Sequence, residues 1–258
     1  MVEPNQIYCC DYLELLRQIP DNSVSLVLSD PPFGINYSNN YTKKKHEVLQ
    51  GDASKFSYLE FGKEAFRILK DDTAIFVFTG WSEYPDHYKQ LESCGFSMKE
   101  PIICQKRASG KTDLYGSFQT NSDWIIFAHK GRFKFRKTTL VKNKKAGVIP
   151  NIGRSPVPEY KTRFPSCWFG EEYPWSSENS AWQKVNGIYH PTIKGQMFLM
   201  WLILLSTEPG DLVVDPFVGS GTTAVAAKMA ARQFFASDVS PEFCEQARKR
   251  LTLCDFVV

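Results

Sequence analysis

Short, nearly continuous apolar runs alternate along this chain with stretches whose apolar residues recur at three- and four-residue spacing. The first kind reads as buried strands, the second as helices packed on a sheet. Residues 5–9 predict a strand, 11–17 a helix with Leu13, Leu15 and Leu16, and 24–28 a buried strand after the turn Pro20-Asp21-Asn22-Ser23. Residues 36–56 are polar and predict a mobile loop. A helix over 57–69, a strand over 73–79, a helix over 83–93 ended by Gly95, and strands over 96–105 and 124–129 continue the alternation. It resumes with a helix over 193–206, a strand at 212–214, an Ala-rich helix at 222–231, a strand at 233–237 and a last helix to about 253. Ser240-Pro241-Glu242 starts that helix with a cap, a proline and an acid facing the dipole. The pattern predicts an α/β fold: a doubly wound, mostly parallel sheet with one antiparallel strand.

Residues 130–187 break the rhythm. They are rich in Lys, Arg, Pro, Ser, Asn and aromatic residues, including Trp168, Trp175 and Trp182, and predict an insertion with little regular core of its own. The division is therefore 1–129 with 188–258 as one domain, and 130–187 inserted into it. The tryptophans are expected to serve packing more than stacking.

Charge sharpens this division. The net charge is only +3. Residues 99–163, however, hold 15 Lys and Arg against 4 Asp and Glu, so that segment carries about +11 and the rest about −8. A basic excess interleaved with aromatics favours a polyanion, nucleic acid first. The seven cysteines form no CxxC pair, and with four scattered His they argue for reduced, mostly buried thiols and against a metal site. No leader pattern is visible, and the most apolar stretch, 197–205, is too short to span a bilayer. A cytoplasmic protein without membrane contact is the expectation.

Two segments carry chemistry. Asp215-Pro216-Phe217-Val218-Gly219-Ser220-Gly221-Thr222-Thr223 follows a strand and opens a helix. Its glycines allow close backbone approach, and its hydroxyls and amides suit an anionic group at a helix start. It is neither GxGxxG nor a phosphate loop. Asp238, at the end of the following strand, is placed to accept hydrogen bonds from ribose hydroxyls. Asp30-Pro31-Pro32-Phe33 ends the strand at 24–28. Its prolines fix the backbone and remove two donors, leaving the Asp30 carboxylate and the Pro31 carbonyl as acceptors beside an aromatic ring. That combination suits an amino group on a flat heterocycle.

With these motifs in hand, the chain resembles the amino-methyltransferases that move a methyl group from S-adenosylmethionine to a base amino nitrogen. The resemblance covers nearly the whole chain. Asp30, Pro31, Pro32 and Phe33 match the family's catalytic motif, and Asp215, Phe217, Gly219, Ser220, Gly221 and Thr222 its methionine-binding loop. Asp11 matches the acid that meets the cofactor's adenine, and His190, Thr192 and Lys194 an element lining the cofactor site. The order, catalytic motif before recognition region before cofactor loop, is that of the beta group of DNA methyltransferases. Asp rather than Ser before the prolines implies adenine N6 as acceptor. Cys10 where Gly is usual, Gly195 after Lys194 where Pro is usual, and Asp238 where Glu is frequent are departures that leave every catalytic group in place.

The resemblance implies direct methyl displacement, with Asp30 also bordering the cofactor, on an adenine flipped out of duplex DNA. Base readers are expected within 130–187. Double-stranded DNA is the implied partner, with a homodimer and a cognate restriction endonuclease as further expectations of a restriction-modification enzyme. The competing readings are a cytosine-N4 or RNA adenine methyltransferase, a catalytically idle DNA-binding relative and, more remotely, a nicotinamide dehydrogenase.

Overall fold

A computed structural model describes residues 2–32, 56–105, 122–136, 167–168 and 195–253. In chain order the elements are β1 (Gln6–Cys9), α1 (Tyr12–Gln18), β2 (Val24–Ser29), α2 (Tyr58–Ile68), β3 (Leu69–Thr79), α3 (Tyr84–Ser93), β4 (Ser97–Met98), β5 (Ile102–Gln105), β6 (Ser122–Lys130), β7 (Cys167–Trp168), α4 (Gln196–Ser206), β8 (Leu212–Asp215), α5 (Thr222–Met229), β9 (Gln233–Asp238) and α6 (Pro241–Leu253). Phe33, the expected loop up to residue 55, His190, Thr192, Lys194 and most of the expected insertion lie outside the described residues.

The strands form one sheet in the order β1-β9-β8-β2-β3-β6-β5-β7, with β4 also on β6. Strands β1, β9, β8, β2 and β3 run parallel, and β6 runs antiparallel to β3. The doubly wound sheet with one reversed strand is as the sequence predicts.

Alternate residues of the central strands feed opposite faces, as the period of two requires. Leu26, Leu28, Phe76, Phe78, Val213 and Phe234 join a cluster under α4, α5 and α6. Val27, Ile75, Val77, Val214 and Phe235 join one under α1, α2 and α3. α4 is apolar nearly all round and buried from Phe198 to Leu205, as a helix sandwiched by neighbours must be. No helix among the described residues is long and apolar enough to cross a membrane.

Three local departures have plain causes. The strand expected over 96–105 is split into β4 and β5 around Pro101. The β6 register runs Met98↔Ala128 but Ile102↔Ile125, a one-residue slip. Proline has no N–H to give the ladder, so a bulge absorbs it. Segment 131–136 does not leave the domain: Phe133 and Phe135 pack on Phe127 and the core, with exposed Arg132, Lys134 and Arg136 between them. Finally, Cys167–Trp168 pairs parallel with β5 and extends the sheet from within the expected insertion. Cys104 and Cys244 are buried, Cys10 and Cys94 half-buried and Cys9 exposed, a less buried set than the sequence suggested.

Candidate active site

The carboxyl ends of four neighbouring strands, β1, β9, β8 and β2, line up along one edge of the sheet. They deliver Asp11, Asp238, Asp215 and Asp30 in that order. Three inter-strand spacings separate the first from the last, about 14 Å. In open α/β sheets ligands bind outside this edge. The topology thus gathers residues that stand far apart in the chain.

The two expected motifs touch. Ser29 Oγ donates to Asp215 Oδ1 at 2.7 Å, a buried hydrogen bond across 186 positions of sequence. The register Leu26↔Val213 and Val27↔Val214 makes this possible, because it carries the two strand ends forward level with each other. Asp30 emerges one residue beyond Ser29, half-buried, followed by buried Pro31.

Asp215 is the anchor of the glycine-rich loop rather than an exposed ligand. It is 4% exposed. It accepts from Phe217 N–H at 3.1 Å and from Thr223. Burial raises its carboxyl to about pH 6 against the pull of those bonds, and the nearby Asp30 charge adds to the rise.

Asp238 holds the loop from the other side. Its Oδ2 accepts from Gly219 N–H at 3.0 Å and its Oδ1 from Ser240 N–H at 2.9 Å. Burial nonetheless raises its pKa. Each carboxylate oxygen has a second lone pair, so the residue keeps acceptor capacity for a ribose. Beside it, Cys10 N–H donates to the Asp238 carbonyl at 3.1 Å, which places exposed Asp11 at the adjoining strand end. Asp11 caps α1 by accepting from Leu13 N–H with Oδ1 at 2.9 Å.

The hydroxyls of the loop face inward, contrary to the simplest reading of the sequence. Arg250, 4% exposed, donates through Nη1 to the Ser220 carbonyl at 2.8 Å, to Ser220 Oγ at 3.0 Å and to Thr222 Oγ1 at 3.0 Å. Gly221 has φ +88°, and a Cβ there would fall 2.8 Å from Ala247 Cβ. This glycine is required by the approach of α6 as well as by its left-handed backbone. Sequence reasoning missed Arg250. The available signal was its helical phase, since it shares the buried face of α6 with Cys244, Ala247 and Leu251.

Two further groups were not foreseen. Phe217 stacks into an aromatic box with Tyr12 and Phe56, at centroid distances of 5.1 and 5.0 Å. Behind Asp30, the buried Tyr58 ring lies 3.5 Å from the His87 ring, and its hydroxyl donates to the Phe78 carbonyl. His87 Nδ1 meets Thr79 Oγ1 at 2.7 Å, and burial lowers its pKa to about 4. Tyr58 titrates well above its usual range, through burial first and then the Asp30 charge, which marks a water-poor wall behind that carboxylate.

The arrangement fits a nucleoside-linked methyl donor. Carboxylates for hydroxyls and an amino group stand at β1 and β9, a rigid backbone loop at β8, and an acceptor-rich end at β2. Fold and site together define a methyltransferase of the open α/β type. Residues 24–249 match a family model described as DNA methylase, of the N6 and N4 type. Type II methyltransferase M1.MboII of Moraxella bovis is 28% identical over 262 residues, covering 96% of each chain. Type II methyltransferase M.HpaI of Haemophilus parainfluenzae is 27% identical over 255 residues, covering 95% of this chain and 74% of that protein. The fold matches that of M1.HpyAVI in complex with SAM, with a TM-score of 0.63 at 21% identity over 95% of this chain and 99% of that one. It also matches the cytosine-N4-specific PvuII DNA methyltransferase, with a TM-score of 0.69 at 20% identity over 96% and 88%. The chain belongs to the N6/N4 DNA methylase family, and S-adenosylmethionine is its methyl donor.

Proposed function

We propose that this protein methylates the N6 amino group of adenine in duplex DNA. The observation that carries the reading is the Ser29–Asp215 hydrogen bond, which sets the Asp30 end beside the cofactor loop. Asp30, rather than serine, before the two prolines favours adenine over cytosine.

An adenine amino nitrogen is a weak nucleophile because its lone pair is delocalised into the ring. The Asp30 carboxylate and the Pro31 carbonyl accept its two N–H groups and draw the nitrogen toward tetrahedral geometry. The catalytic contribution is positioning and electrostatics in a water-poor site. S-adenosylmethionine supplies the electrophilic methyl group when bound. Asp30 holds the amino proton that must depart, and the base reaches this end only after leaving the helical stack.

Asp11 and Asp238 would hold the adenosine part of the cofactor. Loop residues Asp215, Phe217, Gly219, Ser220, Gly221 and Thr222 would shape the methionine part, through backbone more than hydroxyls. Phe33, stacking on the base, and His190, Thr192 and Lys194 beside the cofactor belong to this proposal through the resemblance alone. A recognition region within 130–187 rests on its basic and aromatic composition, a cytoplasmic location on cysteines read as reduced, and a homodimer and a partner endonuclease on the resemblance. The type II methyltransferases among its relatives support the last of these.

The test is sequencing and nucleoside analysis of DNA from cells expressing the chain. N6-methyladenine at a defined sequence is the expected result. N4-methylcytosine, or methylation of RNA alone, overturns it.

A further inference from the structure

Resting on that reading, we propose that Trp81 is the residue that stacks against the DNA helix where the target base has left it. Trp81 is 64% exposed, the most exposed large apolar side chain among the described residues. Such an indole has no packing role to explain it, and large aromatic rings left in water mark contact sites.

Its placement points to the substrate. Strands β2 and β3 are parallel with Ser29 opposite Val77. Asp30 is therefore level with Phe78, and Trp81 stands three residues further out on the same carboxyl edge. It lies on the lip of the acceptor site, one strand away from Asp30 on the side away from the cofactor loop.

The turn that presents it is firmly built. Tyr84 N–H donates to the Gly80 carbonyl at 3.0 Å. The Glu83 carboxylate folds over Gly80 so closely that a Cβ there would fall 2.0 Å from Glu83 Oε2. Ser82 Oγ donates to Glu83 Oε1 at 2.6 Å. Tyr84 in turn leans on Trp124, with ring centroids 5.4 Å apart. The backbone that presents the indole is thus fixed before binding, which lowers the ordering cost of docking. A flipped base leaves its neighbours short of a stacking partner, and an aromatic face replaces that partner without regard to sequence.

The experiment compares Trp81→Ala and Trp81→Phe with the unaltered protein on two duplexes. In one the methylated base is normally paired; in the other it lies opposite a pyrene nucleotide, whose flat ring fills the space that the base leaves. The expected loss for Trp81→Ala is on the order of ten-fold in DNA affinity and in kcat/KM on the paired duplex. On the pyrene duplex, where the gap is already filled, the loss shrinks to about two-fold or less, and Trp81→Phe recovers most of the activity on the paired one. Cofactor affinity and Tm stay unchanged. No loss on the paired duplex, or an equal loss on both, overturns the proposal. If the methylated base proves to be cytosine, the adenine reading fails, and the same two duplexes built around cytosine still decide the role of Trp81.

Discussion

The two strand ends that meet through Ser29 and Asp215 are built on opposite plans. The β8 end is laced from every side. Asp215, Asp238 and Arg250 each hold two or more groups of the loop or the segments flanking it, and α6 presses on Gly221. The β2 end has two prolines in succession, which stiffen the backbone by covalent geometry and strip it of donors. One end is rigid because its polar groups are consumed internally. The other is stiffened by its prolines, which leave it without backbone donors at Pro31 and Pro32. A cofactor that is always the same molecule suits the first plan. A substrate that must enter, be gripped by its amino group and leave suits the second.

The sharpest way to break this contrast is Asp30→Ala. It should lower methyl transfer by at least about 10²–10³-fold, since it removes an interaction made to the reacting nitrogen. Cofactor and DNA binding should survive, as isothermal titration with each would record. Retained activity would remove Asp30 from the chemistry.

Gly221→Ala should do the reverse. It forces a side chain into left-handed backbone and against Ala247, at a cost of about 2–4 kcal/mol in denaturant unfolding, with weaker cofactor binding. Adding Ala247→Gly should recover only the part due to the Ala247 Cβ, because Ala247 Cα stands 2.9 Å from the same position and the left-handed φ remains. Full recovery would mean that the backbone carries no strain there.

A subtler contrast lies in pH. Folded Asp215 keeps its proton up to about pH 6, against an ordinary value of 3.8. A raised carboxylate binds more protons folded than unfolded, so its contribution is whole below about pH 4 and lost as pH rises to about 6. Asp215→Asn should therefore gain on the natural protein across that interval, by up to about 3 kcal/mol. Urea unfolding at pH 4, 5, 6 and 7 measures it. A gap between the two proteins that does not vary with pH would refute the buried, protonated carboxyl.

Much of this architecture was legible in the sequence because its cause is local. The apolar runs at 24–28 and 212–214 become central strands, and Ser240-Pro241 starts α6 where capping chemistry says it should. Pro101 was legible in principle, since no interior ladder position tolerates a missing N–H. What escaped depends on distant partners. Nothing near Ser220 says that its hydroxyl belongs to an arginine 30 positions on. Nothing near Trp168 says that two residues amid polar sequence will join β5. Phe217 reads as a ligand contact until Tyr12 and Phe56 are seen around it. The site residues called from motifs and lying within the described segments fall on one edge; what each of them does there depends on neighbours that motifs do not contain.

The Arg250 contacts also bear on how the protein is made. A ribosome releases the Asp30 segment early and the Ser220 loop late, and the loop has no arginine to brace it until α6 has been synthesised and docked. Pairings so far apart in sequence form slowly. The loop that faces the cofactor is therefore finished only after α6 has docked, however early the Asp30 segment is made.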